Sequence, residues 1–131
     1  MSTPLNIAQA RFNMIEQQIR PWDVHDPVVL AMLDHVKRED FVPEAQRALA
    51  FVDMELTLPD GQTMLQPKVV ARLMQELKVQ PHERVLEIGA GSGYLTAMLA
   101  SCAKQVVSLE ISPTLVALTQ ANLKRAGVSN V

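Results

Sequence analysis

The sequence predicts an α/β fold in which a parallel sheet starts late in the chain, behind an N-terminal helical cap. Three observations carry that expectation. Residues 84–88 (Arg-Val-Leu-Glu-Ile) are aliphatic and β-branched without helical spacing, as suits a buried parallel strand. Three alternating glycines follow, Gly89, Gly91 and Gly93, and then an apolar helical pattern over Tyr94–Cys102. A second aliphatic run, Gln105–Leu109, ends at an acid, Glu110. A helix between two short apolar strands is the crossover that parallel pairing requires.

The remaining elements read in order. Ile7–Ile19 is an amphipathic helix with the stripe Ile7, Ala8, Phe12, Ile15 and Ile19, ended by Arg20-Pro21. Asp26 caps the next helix, Pro27 opens it, and Val29, Met32, Leu33 and Val36 point inward. Residues 38–43 (Arg-Glu-Asp-Phe-Val-Pro) form a polar link with an apolar plug, followed by a short helix at Glu44–Ala50. Asp53–Leu58 alternates as a strand and closes in the turn Pro59-Asp60-Gly61. Gln66-Pro67 starts a helix through Val79, with Val70, Leu73, Met74 and Leu77 inward. Pro81 breaks the chain before the first sheet strand. After the second strand, Ser112-Pro113 caps a helix through Ala126, Gly127 ends it, and Val128–Val131 approaches a third strand. The chain thus divides into a helical cap, 1–80, and a βαβα unit, 81–131.

The glycine segment is half of a nucleotide-cofactor site. A bare backbone lets the chain turn sharply and lie against a ligand, and the helix that follows presents unpaired N–H groups. Glu110, 21 positions after Gly89, suits the two hydroxyls of a ribose. A dinucleotide fingerprint has the spacing Gly-x-Gly-x-x-Gly; here it is Gly-x-Gly-x-Gly, with Glu87 two residues ahead. That carboxylate repels a pyrophosphate and attracts an ammonium. S-adenosylmethionine offers an ammonium and a ribose without phosphate, which argues against a nicotinamide-dependent oxidoreductase.

Composition narrows the classes further. The 131 residues carry a net charge of −2, so no nucleic-acid footprint is expected. The apolar stretches are short and interrupted, so no membrane span is expected. Met1–Asn6 lacks the basic region and apolar core of a secretory leader, and Cys102 is alone, which together point to the cytoplasm. Cys102 reads as a packed small hydrophobe. His25, His35 and His82 lack metal-ligand spacing, so no metal is expected.

Three segments together resemble one family. Residues 38–43, the loop 61–67 (Gly-Gln-Thr-Met-Leu-Gln-Pro) and the cofactor segment 86–94 are similar, in this order, to those of the protein-L-isoaspartate O-methyltransferases. The resemblance implies a Rossmann-like S-adenosylmethionine methyltransferase fold, truncated after the second strand-helix unit. It implies transfer of a methyl group to a damaged aspartyl carboxylate of a protein or peptide, in protein repair. Gln62, Glu87, Gly89, Ala90, Gly91, Ser92, Gly93, Tyr94, Glu110 and Ile111 are then the cofactor contacts, and Thr63 and Gln66 line the methyl-transfer side. Alternative readings stay open: Thr63 as a turn former, Gln66 as a helix-cap residue, Tyr94 as filler of the helix start. Leu65 departs from the resemblance, because the family has a serine there; a different acceptor, or a non-catalytic cofactor-binding or interaction module, is the second reading. The family's chain is longer by several strands. The segment is therefore expected to be an N-terminal portion, inactive alone, with an open sheet edge available for self-association.

Overall fold

The computed structural model describes residues 5–131. Met1–Pro4, most of the segment read as lacking leader character, lie outside the described residues. Helix α1 (Ile7–Met14) begins at Asn6, whose side chain accepts from the Gln9 N–H at 3.1 Å. The chain continues through a π-helical turn, Ile15–Ile19, and a 3-10 turn, Arg20–Trp22, and stops at Asp23 in the left-handed region. The expected apolar stripe is rotated. Arg11, Met14 and Ile19 are buried, whereas Phe12 is 59% exposed. The cause is Arg11, which turns inward to pair with Glu39 and carries the neighbouring Phe12 outward, while Ile19, at the end of the π turn, is buried as expected.

Helix α2 (Pro27–His35) follows its expected pattern, with Asp26 accepting from the Val28 N–H at 2.9 Å and Val29, Met32 and Leu33 buried. The next segment corrects the sequence reading. Residues 38–43 are core rather than a polar link: Arg38, Glu39, Phe41 and Val42 are all buried. Charged side chains survive there because each finds a partner, Glu39 in Arg11 and Arg38 in backbone carbonyls. A 3-10 helix, Glu44–Leu49, stands in place of the expected short helix.

The strand expected over Asp53–Leu58 shrinks to β1 (Leu56–Thr57), paired antiparallel with β2 (Thr63–Met64). Its partner run is cut off by Gln66-Pro67, since proline brings no N–H to a ladder. Helix α3 (Pro67–Leu77) ends two residues short of Val79, where Lys78 takes a left-handed conformation. Its buried row is Val70, Ala71 and Met74; Leu73 and Leu77 were expected inward but lie on an uncovered flank, 41% and 56% exposed.

Strands β3 (Arg84–Ile88) and β4 (Gln105–Leu109) pair in parallel, with Arg84 opposite Gln105 and Ile88 opposite Leu109. Helix α4 (Tyr94–Cys102) is the crossover between them, and α5 (Pro113–Arg125) follows β4. Val106 and Glu87 face the helical side. The other face was expected to be covered too, but Leu86, Ile88, Val107 and Leu109 are 50–73% exposed, because no described element crosses it. After α5, the Val106 N–H donates to the Asn130 carbonyl at 2.9 Å, so the chain starts to align beside β4 without forming a strand.

One hydrophobic core joins cap and sheet. Phe41 and Tyr94 meet with ring centroids 5.7 Å apart, and Leu33, Leu56 and Met98 belong to the same cluster. No helix among the described residues is long and apolar enough to cross a membrane. Among those residues no group of histidine, cysteine and acidic side chains gathers to hold a metal. Cys102 is half-buried, and burial pushes its thiol up from the ordinary value.

Candidate functional site

The site is built where β3 ends. The Gly89 N–H donates to the Leu109 carbonyl at 2.7 Å, which ties the turn to the sheet. Gly91 and Gly93 adopt φ of +60° and +87°, conformations that suit glycine. The space is tight as well: a Cβ on Gly91 would sit 3.3 Å from Leu58 Cδ1, and one on Gly93 3.2 Å from Thr119 Cγ2, so either neighbour would have to shift by a few tenths of an ångström. Gly93 is the N-cap of α4, so the positive end of that helix opens at the turn.

Two carboxylates flank the turn and are prepared in opposite ways. Glu110, at the end of β4, accepts from the N–H groups of Gly91 and Ser112, each at 3.0 Å. Those bonds, Gly91 first, hold its carboxyl below the usual carboxylate range. Each oxygen keeps a second lone pair for a ligand hydroxyl. Glu87 is 7% exposed, and burial pushes its carboxyl up; bonds from Thr96 and Ser108 oppose that shift only in part. Both bonds fall on Oε1, and Oε2 is buried with no hydrogen-bond partner among the described residues. A buried carboxylate oxygen left bare costs free energy unless a donor arrives. The ammonium of an amino-acid moiety is such a donor.

A cavity of about 100 Å³ lies between the turn and Glu87, with Gly89, Gly91, Thr63 and Leu65 also in its wall. The hairpin β1–β2 forms its roof and is held from both sides. At the tip, Asp60 accepts from the Ser112 hydroxyl, next to Glu110. At the base, Arg38 donates to the carbonyls of Ala50 at 2.7 Å and Leu65 at 2.9 Å. The Arg38 guanidinium also lies 5.1 Å from the centroid of the Tyr94 ring.

The family model for protein-L-isoaspartate(D-aspartate) O-methyltransferase (PCMT) matches residues 9–131. The chain belongs to this family. A protein-L-isoaspartate O-methyltransferase from Herpetosiphon aurantiacus is 45% identical over 123 residues, 94% of this chain and 55% of that protein. A second, from Rhodopseudomonas palustris, is 44% identical over 126 residues, 96% of this chain and 51% of its own length. The chain therefore spans about half the length of the curated relatives it matches. Among solved structures, a Plasmodium falciparum chain assigned to the same enzymes, in complex with S-adenosyl-L-homocysteine, superposes with a TM-score of 0.78 at 23% identity. That match covers 97% of this chain and 61% of the other, and establishes the shared Rossmann-like fold.

Within this PCMT segment the sequence-predicted residues fall into three groups. Thr63, Glu87, Gly89, Ala90, Gly91, Ser92 and Tyr94 line the same small cavity. Gly93, Glu110 and Ile111 flank it; Ile111 is 99% exposed beside the acid. Gln62 and Gln66 stand at the two ends of β2. Gln62 is exposed, and Gln66 occupies the N-cap position of α3 without a side-chain cap bond. Thr63 lies in β2, past the turn. The Tyr94 ring is 2% exposed and packs on Phe41 and under Arg38, so the side chain belongs to the core while its backbone opens the helix.

The sequence reading missed Arg38, Thr119 and Asn122. Arg38 was hidden in a segment that looked solvated. Thr119 and Asn122 share the buried stripe of α5 with Leu115 and Leu123. A hydroxyl and an amide on an apolar helical stripe were the available signal, because such groups are buried only with partners.

Proposed function

We propose that the chain carries the S-adenosylmethionine site of a methyltransferase that acts on an isoaspartyl-type carboxylate in proteins or peptides. The observation that carries this reading is the unpaired, buried Oε2 of Glu87, one turn away from a glycine backbone and a ribose-type acid. The residues fit the cofactor part by part: Glu87 for the ammonium, Glu110 for the ribose hydroxyls, exposed Ile111 for an apolar ring face, and the bare turn for close approach. The Plasmodium relative holds the demethylated product of the same cofactor, and the curated relatives carry the name of the reaction.

When bound, S-adenosylmethionine supplies a methyl group on a positive sulfonium. The acceptor carboxylate is negative, so the charges of both reactants vanish along the transfer. The chain's contribution is alignment and exclusion of water, both of which favour such a step. Leu58, Met64, Leu65 and Val70 supply apolar wall to the cavity beside Glu87 and the turn. Thr63 and Gln66 flank the methyl-transfer side. The single half-buried cysteine suits a reducing, cytoplasmic compartment.

Calorimetric titration with S-adenosylhomocysteine tests the reading. Micromolar binding by the folded chain is expected, with Glu110→Ala weakening it at least tenfold. A folded chain that takes up none of this ligand overturns the cofactor assignment for this segment.

A second reading concerns the acceptor alone. Leu65 stands at the cavity wall, 37% exposed, and its side chain offers no hydroxyl to a carboxylate. In the protein at the full length of its relatives, Leu65→Ser is expected to raise methylation of an isoaspartyl peptide over the aspartyl control. Unchanged selectivity would mean that residue 65 does not set the acceptor.

A further inference from the structure

Thr119 and Asn122 are 6% and 4% exposed, on a helix that touches no part of the family's motifs in sequence. Their polar atoms have one destination. Thr119 Oγ1 donates to the Gly91 carbonyl at 2.8 Å, and Asn122 Nδ2 donates to the Ser92 carbonyl at 2.8 Å. Two consecutive carbonyls of the glycine turn are thus drawn toward α5. The planar trans peptide fixes the consequence, because the N–H of each unit points opposite to its C=O. The Ser92 N–H, which shares a peptide with the Gly91 carbonyl, points away from α5. Arg125 sets which way the Asn122 amide faces: its Nη2 donates to Asn122 Oδ1 at 2.5 Å and to the Asp40 carbonyl at 2.7 Å. The donor end of the amide is left to Ser92, and the assembly is anchored in the cap.

We infer that Thr119 and Asn122 are positioning residues for the cofactor turn, holding the Gly91–Ser92 backbone so that the Ser92 N–H faces the ligand side, while the neighbouring Gly91 and Gly93 N–H groups are already donated to Glu110 and to the Ala90 carbonyl. The inference rests on the cofactor reading above and adds that the turn is shaped from behind. The glycines give the turn freedom; α5 removes that freedom before the ligand arrives. Preorganisation of this kind raises affinity by lowering the ordering cost on binding.

The test compares three substitutions in the whole chain. Thr119→Val keeps the volume and the methyl group beside Gly93 and deletes the donor. Thr119→Ser keeps the donor. Asn122→Asp keeps the shape and the acceptor for Arg125 but turns an oxygen toward the Ser92 carbonyl. Each is read by titration with S-adenosylhomocysteine and by hydrogen exchange of the Gly91–Tyr94 amides without ligand. Thr119→Val and Asn122→Asp are expected to weaken binding about 5- to 10-fold, the loss of one hydrogen bond, and to speed exchange at the turn. Thr119→Ser is expected to match the parent chain on both readouts. Affinity unchanged in Thr119→Val and Asn122→Asp overturns the inference and leaves the cofactor reading intact. Should the parent chain bind no S-adenosylhomocysteine, the cofactor reading falls, and the exchange data alone decide: faster turn exchange supports positioning, and unchanged exchange overturns it.

Discussion

Glu39→Leu is expected to destabilise the fold by about 3–5 kcal/mol, the cost of leaving a buried charge without its partner. That is a large share of the roughly 5–15 kcal/mol available to a domain of this kind. Among the described residues the carboxylate of Glu39 is the sole ionic partner of Arg11, and both side chains are 7% exposed. Without it the Arg11 guanidinium keeps only the face of Phe51, 5.4 Å from the ring centroid. Its Nε is already buried without a partner. The double variant Arg11→Met/Glu39→Leu removes both charges and fills the space with apolar atoms, so it is expected to recover most of the loss. Urea unfolding of the singles and the double measures this directly. A double variant no more stable than Glu39→Leu would show that the pair contributes specific structure beyond charge neutralisation.

Glu87→Gln is expected to move stability and binding in opposite directions. Burial raises the Glu87 carboxyl above its unfolded value. The folded state therefore binds this proton more tightly than the unfolded state. The ionised group costs stability above the folded pKa, and that cost disappears as pH falls through the folded value toward the unfolded one. Glutamine removes the cost, so Glu87→Gln raises the melting temperature at neutral pH and flattens this part of the pH–stability curve. Its amide oxygen still accepts from Thr96 and Ser108, but an N–H₂ group replaces Oε2 and meets the ligand ammonium donor to donor. Loss of a hydrogen bond to a charged group costs about 1.5–3 kcal/mol, or roughly 10- to 150-fold in affinity for S-adenosylhomocysteine. Calorimetry and thermal unfolding on the same preparation test both signs. An unchanged affinity would mean that Oε2 does not meet the ligand.

What the sequence revealed depended on how each residue's role is written in its neighbours. The unit from Arg84 to Arg125 was legible because strand, glycine turn, helix and acid follow one another within local spacing. Helix caps such as Asp26 and Ser112 were legible for the same reason. Residues 38–43 were not, because their burial rests on partners beyond local spacing: Arg11 for Glu39, and Ala50 and Leu65 for Arg38. The rotation of α1 and the exposure of Leu73 and Leu77 were hidden likewise, since apolar periodicity shows that a face exists but not whether another element covers it. At the candidate site, charge and glycine spacing pointed to the face of the turn proposed for the ligand. Its rear support by Thr119 and Asn122 came only with the tertiary structure.

The crowding around Gly91 and Gly93 changes what those residues testify to. A side chain at either position would press on Leu58 or Thr119 and be held at positive φ, whether or not a ligand is present. In a descendant that had given up its cofactor, folding would still favour glycine at these two positions, where φ is positive and the space is tight, so this pair would outlive the activity. The bare oxygen of Glu87 has no such insurance. It costs the fold stability, and under the proposed cofactor reading a ligand offsets that cost, so mutation would be expected to remove the acid early once the ligand was gone. On the proposed reading, the acid, more than the two crowded glycines, would mark a site still in use.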